Sequence, residues 1–238
     1  MADKAIEKNG LSADHATAYE FLMLITGLLA FSIPIMVVLL DLDDSFRSSI
    51  SAYYYGSGRT YFVASIGGLS VFLLSYQYPS RPNWIWDRRL AIVGSIAAAA
   101  VALFPTAPSE NASDRQELFG VVHLSGAAVL FICLGLFAGF HFTKTGEASD
   151  PQNAREAFRH FFVESASDDG SNSGKLLRNR IYRTMGWLIF ACIALIIVDV
   201  IADLGLFFWL EVIAVEAFAI AWLVKSQRLP FVKDWLGD

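Results

Sequence analysis

The chain has 238 residues, 55% of them hydrophobic and 17% charged, with a formal net charge of −5. That is too apolar for an ordinary water-soluble domain of this size, and no nucleic-acid-binding signal accompanies it. Two cysteines, Cys133 and Cys192, exclude a framework of disulfides.

A hydrocarbon core of roughly 30 Å needs about 20 predominantly apolar helical residues. Six runs meet or approach that length: Phe21–Leu40, which has no charge, then Tyr61–Tyr78, Leu90–Phe104, Val121–Phe142, Met185–Ala202 and Leu206–Val224. Backbone groups in lipid must be satisfied within the protein, so such runs are helices or a closed barrel. They are too long and too little alternating for barrel strands. The expected fold class is all-α, a single domain over residues 1–238 built as a bundle of six transmembrane helices. These are expected at about 19–40, 61–78, 89–105, 120–142, 183–203 and 206–225, with a cytoplasmic loop over 143–182. The polar stretch Met1–Ala18 lacks the pattern of a signal peptide, so the first run is expected to stay as a membrane anchor.

Lys and Arg are distributed unevenly among the connections. Fifteen fall on the side of the two termini, among them Lys4, Lys8, Arg88, Arg89, Arg178, Arg183, Lys225 and Arg228, against three on the other side, Arg47, Arg59 and Arg115. The positive-inside rule then puts both termini in the cytoplasm of a multi-pass protein, expected in a bacterial inner or plasma membrane. Trp84, Trp86, Trp187, Trp222 and Trp235 near the inner boundaries, and Trp209 with Tyr53 to Tyr55 near the outer ones, suit the headgroup level.

Along the chain, Pro34 is expected to kink the first helix. Gly135 and Gly139 form a GxxxG that could join helices within one chain or between protomers of a homo-oligomer. In the long connection, Asp150-Pro151 reads as an N-cap followed by Pro at the first helical position. Ala154, Ala157, Phe158, Phe161 and Phe162 then recur at helical spacing, as in a short amphipathic helix on the inner membrane surface.

Ionisable residues within apolar runs are the informative minority. A charge at a helix centre costs roughly 2.5–3.5 kcal/mol on insertion scales, so such groups usually face a cavity or a partner. Glu216 lies about ten residues, or roughly 15 Å, from the outer end of the last helix, and Glu211 is one and a half turns above it. Asp199 and Asp203 are an i,i+4 pair at the outer end of the fifth helix. His123 is one turn inside the fourth, and Arg47 and Arg59 bracket the first outer connection. The expected ligand-binding set is therefore Arg47, Arg59, His123, Asp199, Glu211 and Glu216. They would line an outward-facing cavity with Glu216 at its base, His123 and Glu211 on its walls and an arginine over its mouth. Guanidinium groups can pair with carboxylates or hold a phosphate headgroup bidentately. The competing structural reading is a buried ion-pair network that fixes helix packing.

No catalytic residue, metal site or cofactor is expected. His123 and His141 are 18 residues apart on one helix, roughly 27 Å and at opposite membrane faces, so they cannot share a zinc ion. No GxSxG, HExxH or P-loop is present. A serine nucleophile (Ser48, Ser49 or Ser51) with His123 as base is conceivable only by proximity. A hydroxyl within about 3 Å of His123, with a carboxylate behind it, is the arrangement such an enzyme needs.

Three segments together resemble the DRAM/FRAG-type six-helix membrane proteins and their uncharacterised bacterial relatives. They are Ser51-Ala-Tyr-Tyr-Tyr-Gly-Ser-Gly-Arg59, then Ala102-Leu-Phe-Pro-Thr106 followed by His123-Leu-Ser-Gly-Ala-Ala-Val-Leu-Phe131, and Glu216-Ala-Phe218 in the last helix. Ala217 stands where an aromatic often follows the glutamate. The resemblance implies a link to membrane lipids. The expected function is an integral membrane protein handling a lipid or small solute, a cation included, through an outward-facing polar cavity. The alternatives are a membrane-embedded lipid hydrolase or transferase, and an oligomeric channel or scaffold.

Overall fold

A computed structural model describes residues 2–42, 46–76, 84–108, 111–143 and 173–229. Among these the chain is all-α, with no strand. The elements are α1 (Ala2–Leu39), a short 3₁₀ helix (Ser51–Tyr55, here the cap helix), α2 (Arg59–Ser75), α3 (Trp84–Leu103) and α4 (Asp114–Leu136). A π-helical turn (Phe137–His141), α5 (Ser173–Ala202) and α6 (Phe207–Ser226) complete them.

Among the described residues, four segments are long and apolar enough to cross a membrane: Glu20–Leu39, Asp114–His141, Leu177–Ala202 and Phe207–Ser226. Helix α2 is apolar but shorter, and α3 carries Asp87, Arg88 and Arg89 in its first two turns. The outside of the bundle is apolar, with Val71, Ile96, Val200 and Ile201 all well exposed, as expected of a surface that meets hydrocarbon rather than water.

Two helices start earlier than hydropathy predicts. Helix α1 begins at Ala2 rather than near residue 19. The stretch before Glu20 is polar, yet it is rich in helix formers such as Ala2, Lys4, Ala5, Glu7 and Lys8, which keep it helical without making it apolar. Helix α5 begins at Ser173, so residues 173–182, expected in the long loop, are helical. The proposed amphipathic helix around Ala154–Phe162 lies outside the described residues.

Helix α4 starts on a capping box. Ser113 and Gln116 satisfy each other's first-turn groups, with Asp114 and Glu117 at the positive end of the helix dipole. The α5–α6 turn needs left-handed backbone at Asp203 and Gly205, and glycine adopts that at no steric cost. Pro34 sits inside α1 without ending it.

Each helix packs on its neighbour in the chain, and α6 packs back on α1, which closes the bundle into a ring. Ser32 and Tyr61 join α1 to α2 at 2.6 Å, and the Ser70 hydroxyl donates to the Ser95 carbonyl of α3 at 2.8 Å. Such bonds replace the hydrophobic drive that is missing between helices in lipid. Helices α4 and α5 meet at glycine. A Cβ on Gly186 would lie 2.7 Å from the Gly139 backbone, and one on Gly135 would lie 2.9 Å from the Phe190 ring. The Gly135–Gly139 seam is thus filled by α5 of the same chain.

At the π end, the ring interior is filled by aromatic side chains. Trp222 packs against Phe142 (5.1 Å), Tyr76 (5.7 Å) and Phe137 (6.0 Å). At the other end, the cap helix folds back over the ring, with Tyr53 buried and its ring 6.3 Å from Phe208.

Candidate functional site

Between the aromatic plug and the cap helix lies a cavity with ≈ 50 Å³ open to the centres of water-sized molecules. A water needs about 10–15 Å³, so roughly three to five fit. The cap helix, α1, α2, α3, α4 and α6 all contribute to its walls, which are apolar except at Ser51, His123 and Glu211.

Glu211 is 7% exposed and His123 4%. The Ile50 N–H donates to Glu211 Oε2 at 2.7 Å. That amide opens the cap helix, which has no side-chain cap of its own, so the carboxyl group of α6 serves instead. Oε1 makes no hydrogen bond to the described residues, and no cationic side chain among them pairs with Glu211. His123 Nδ1 lies 2.8 Å from the Phe104 carbonyl. A carbonyl only accepts, so Nδ1 carries the proton and, in the neutral ring, Nε2 presents a lone pair. The Val101 carbonyl, on the same helix end as Phe104, is a second backbone partner of the ring. Two polar side chains, each more than nine-tenths buried, therefore border one small, mostly apolar space.

The expected constellation does not assemble as a whole. Of its six members, His123 and Glu211 line the cavity and the other four do not. Glu216 was expected at the base. It falls instead on the stripe of α6 that carries the exposed Trp209, Ile213 and Ile220, half-buried, with Oε2 lacking a hydrogen-bond partner among the described residues. Five residues at about 100° each place it on a different face from Glu211. Asp199 is buried in the last turn of α5, where its Oδ1 accepts the Leu206 N–H of the α5–α6 turn at 2.9 Å.

The arginines lie on the cap rather than over an open mouth. Arg47 Nε donates to Asp41 Oδ2 at 2.7 Å and its guanidinium lies 5.7 Å from the Tyr53 ring centroid. Asp41 also accepts the Ser57 N–H at 2.6 Å. The hydrogen bond from Arg47 holds the Asp41 carboxyl below its ordinary value of 3.8. Arg59 is exposed and lies 4.4 Å from the Tyr54 ring centroid, donating to the Tyr54 hydroxyl at 2.8 Å. Tyr55 donates to the Thr106 carbonyl at 2.6 Å, tying the cap to the α3–α4 connection, and burial raises its phenol above 10.0.

The serine–histidine arrangement of a hydrolase is not formed among the described residues. The His123 bond goes to a carbonyl, and the Ser51 hydroxyl lies 3.3 Å from that of Ser49. Among the described residues no three His, Cys, Asp or Glu side chains converge to hold a metal ion. Sequence reasoning missed Asp41 and the Ile50 amide. A carboxylate six residues before Arg47 was the only available signal for the first, and the second is a backbone group that no motif marks.

A sequence profile of the family described as "Protein of unknown function (DUF998)" matches residues 17–164, more than half of the chain. That match takes in α1 to α4 and the cap helix, so it includes His123 and ends before Glu211. No curated protein and no solved structure matches the chain.

Proposed function

The chain belongs to the DUF998 family, whose function is unknown, and we propose from its site that it is a multi-pass membrane protein that binds a small polar solute between Glu211 and His123. All six helices cross the membrane in this reading. Helix α2, with 17 residues, reaches roughly 26 Å, and its ends draw on the headgroup region. Both termini lie in the cytoplasm and the cap helix faces outside, in keeping with the excess of Lys and Arg on the side of the termini.

One observation carries the reading: two deeply buried polar side chains, Glu211 and His123, line a shared and otherwise mostly apolar cavity. Burying a polar side chain in an apolar surrounding is costly unless a partner satisfies it. Groups of this kind inside a membrane are retained for a pathway or a ligand. The volume suits a few water-sized particles rather than a lipid headgroup.

Lipids remain the second reading, on the resemblance to DRAM/FRAG-type proteins. There the contact is Arg59, exposed at the cap end and held against Tyr54, and the membrane itself is the partner. A thermal-shift screen of the purified full chain against small ions and polar solutes tests the primary reading. At least one solute is expected to raise Tm in the wild type and not in Glu211→Ala. A screen in which no solute does so contradicts it.

A further inference from the structure

From the position of Glu216 on α6 we infer that the outward stripe of this helix is an interface between two copies of the chain, with the two Glu216 carboxyl groups paired at its centre. Helix α6 is long and apolar enough to cross a membrane. Glu216 is the tenth of its 20 residues, roughly 15 Å from either end and so near the bilayer midplane. The side chain is half-buried, and among the described residues Oε2 has no hydrogen-bond partner and no cationic side chain pairs with the carboxyl. In hydrocarbon the ionised form is the costlier one, so a carboxyl without a counter-charge is held as the neutral acid. A neutral acid carries one O–H donor and a carbonyl acceptor. No water is present at that depth to satisfy them. The partner must itself be embedded in the membrane.

A second copy meets that requirement by symmetry. Every copy inserts the same way round under the same Lys and Arg bias. A two-fold axis along the membrane normal keeps depth, so it brings Glu216 of one copy to the level of Glu216 of the other. The contact is isologous, the same patch on both subunits. Two neutral acids facing each other exchange two O–H···O=C bonds, and each donor and acceptor is satisfied. A different membrane protein would have to carry a matching group at the same depth.

The shape of the stripe suits a helix. Trp209, Ile213, Glu216 and Ile220 follow at steps of four, three and four residues, and the three apolar members are 57%, 41% and 40% exposed. Any outward stripe has that spacing, and the acid at its middle sets this one apart. Along such a seam a second helix packs at about 20°, and a lone polar residue within it fixes register and the number of strands. The other faces of α6 are taken by α1 and α5. The Gly135–Gly139 seam, the candidate that sequence offers for a homo-oligomer, is filled by α5 of the same chain.

The test reconstitutes donor- and acceptor-labelled full-length protein in phosphatidylcholine vesicles and reads energy transfer against the protein-to-lipid ratio. Wild-type transfer should rise and saturate. Glu216→Leu should move the midpoint to a ratio about tenfold higher. Glu216→Gln, whose amide also donates and accepts, should stay close to wild type. Oxidative cross-linking locates the seam: Ile213→Cys and Ile220→Cys should each give a covalent dimer. Val200→Cys, on the exposed face of α5, should give none, and the native Cys133 and Cys192 are buried. The cross-links decide the seam even if Glu216→Leu fails to fold. A wild type that stays monomeric at every ratio overturns the inference. So does a dimer that cross-links through residue 200 in place of 213 and 220, or one that Glu216→Leu leaves unchanged. A loss in Glu216→Gln as large as in Glu216→Leu overturns the paired hydrogen bonds. None of these variants touches the cavity lining, so the solute reading stands or falls separately.

Discussion

Replacing Gly56 by alanine tests how the cap helix is held. Gly56 follows the cap helix with φ −123° and ψ −169°, extended backbone open to any residue, so conformation does not require glycine here. Space does: a Cβ at Gly56 would fall on the Asp41 carboxyl oxygens. An unanchored carboxylate would swing aside at little cost. This one is fixed by Arg47 Nε at 2.7 Å and the Ser57 amide at 2.6 Å, and moving it breaks both. Hydrogen bonds to charged groups are worth about 1.5–3 kcal/mol each, so the variant should lose roughly 3 kcal/mol or more, with partial relief from water at the bundle end. For a chain of this size that is a fall in Tm of about 6–12 °C. The assay is a double-mutant cycle of Gly56→Ala with Asp41→Ala, read by thermal unfolding in a mild detergent. Gly67→Ala serves as control, because a Cβ at Gly67 meets nothing within 4 Å; it should be neutral or gain about 1 kcal/mol from helix propensity. In the Asp41→Ala background the cost of Gly56→Ala should nearly vanish. An undiminished cost there would refute the argument, because the clash would not be with the carboxylate.

Three further outcomes follow from the same geometry. The Asp41–Arg47 pair holds a carboxyl below its ordinary 3.8, so its contribution is full above pH 3.8 and is lost as pH falls through the depressed folded value. Tm against pH should show this acid loss in the wild type and a smaller one in Arg47→Met, and identical profiles would contradict it. Gly186→Ala drives a Cβ to 2.7 Å from the Gly139 Cα and N. Backbone in two packed helices cannot yield cheaply, so a loss of about 1–3 kcal/mol is expected, and a change below about 0.5 kcal/mol would count against the seam. Glu211→Ala leaves the buried Ile50 N–H without its acceptor, at a cost of about 1–3 kcal/mol. Glu211→Gln should spare most of that, and hydrogen exchange at the Ile50 amide separates the two variants.

Hydropathy placed the helices well where the apolar run and the helix coincide. Helix α6, expected over 206–225, spans Phe207–Ser226. Helices α1 and α5 ran longer because propensity extends a helix past the point where hydropathy stops. Depth was also legible, since counting residues along a helix gives it directly. Azimuth was not. In water an apolar stripe marks the buried face of a helix, but in lipid both faces of α6 are apolar, and nothing local tells Glu211 from Glu216. The packing of α6 between α1 and α5 decides it, turning Glu211 to the ring interior and Glu216 toward the stripe of Trp209, Ile213 and Ile220. The arginines were misplaced for a related reason. Their partners depend on how the connection after α1 folds back over the ring, and spacing alone cannot show that Arg47 meets Asp41.

The most direct test is a density map of the full-length protein in nanodiscs, fine enough to show ordered water. The account predicts non-protein density in the cavity, within hydrogen-bonding distance of the Glu211 or the His123 side chain. An empty cavity, or one filled by collapsed apolar side chains with those two side chains bonded only to protein, would contradict it.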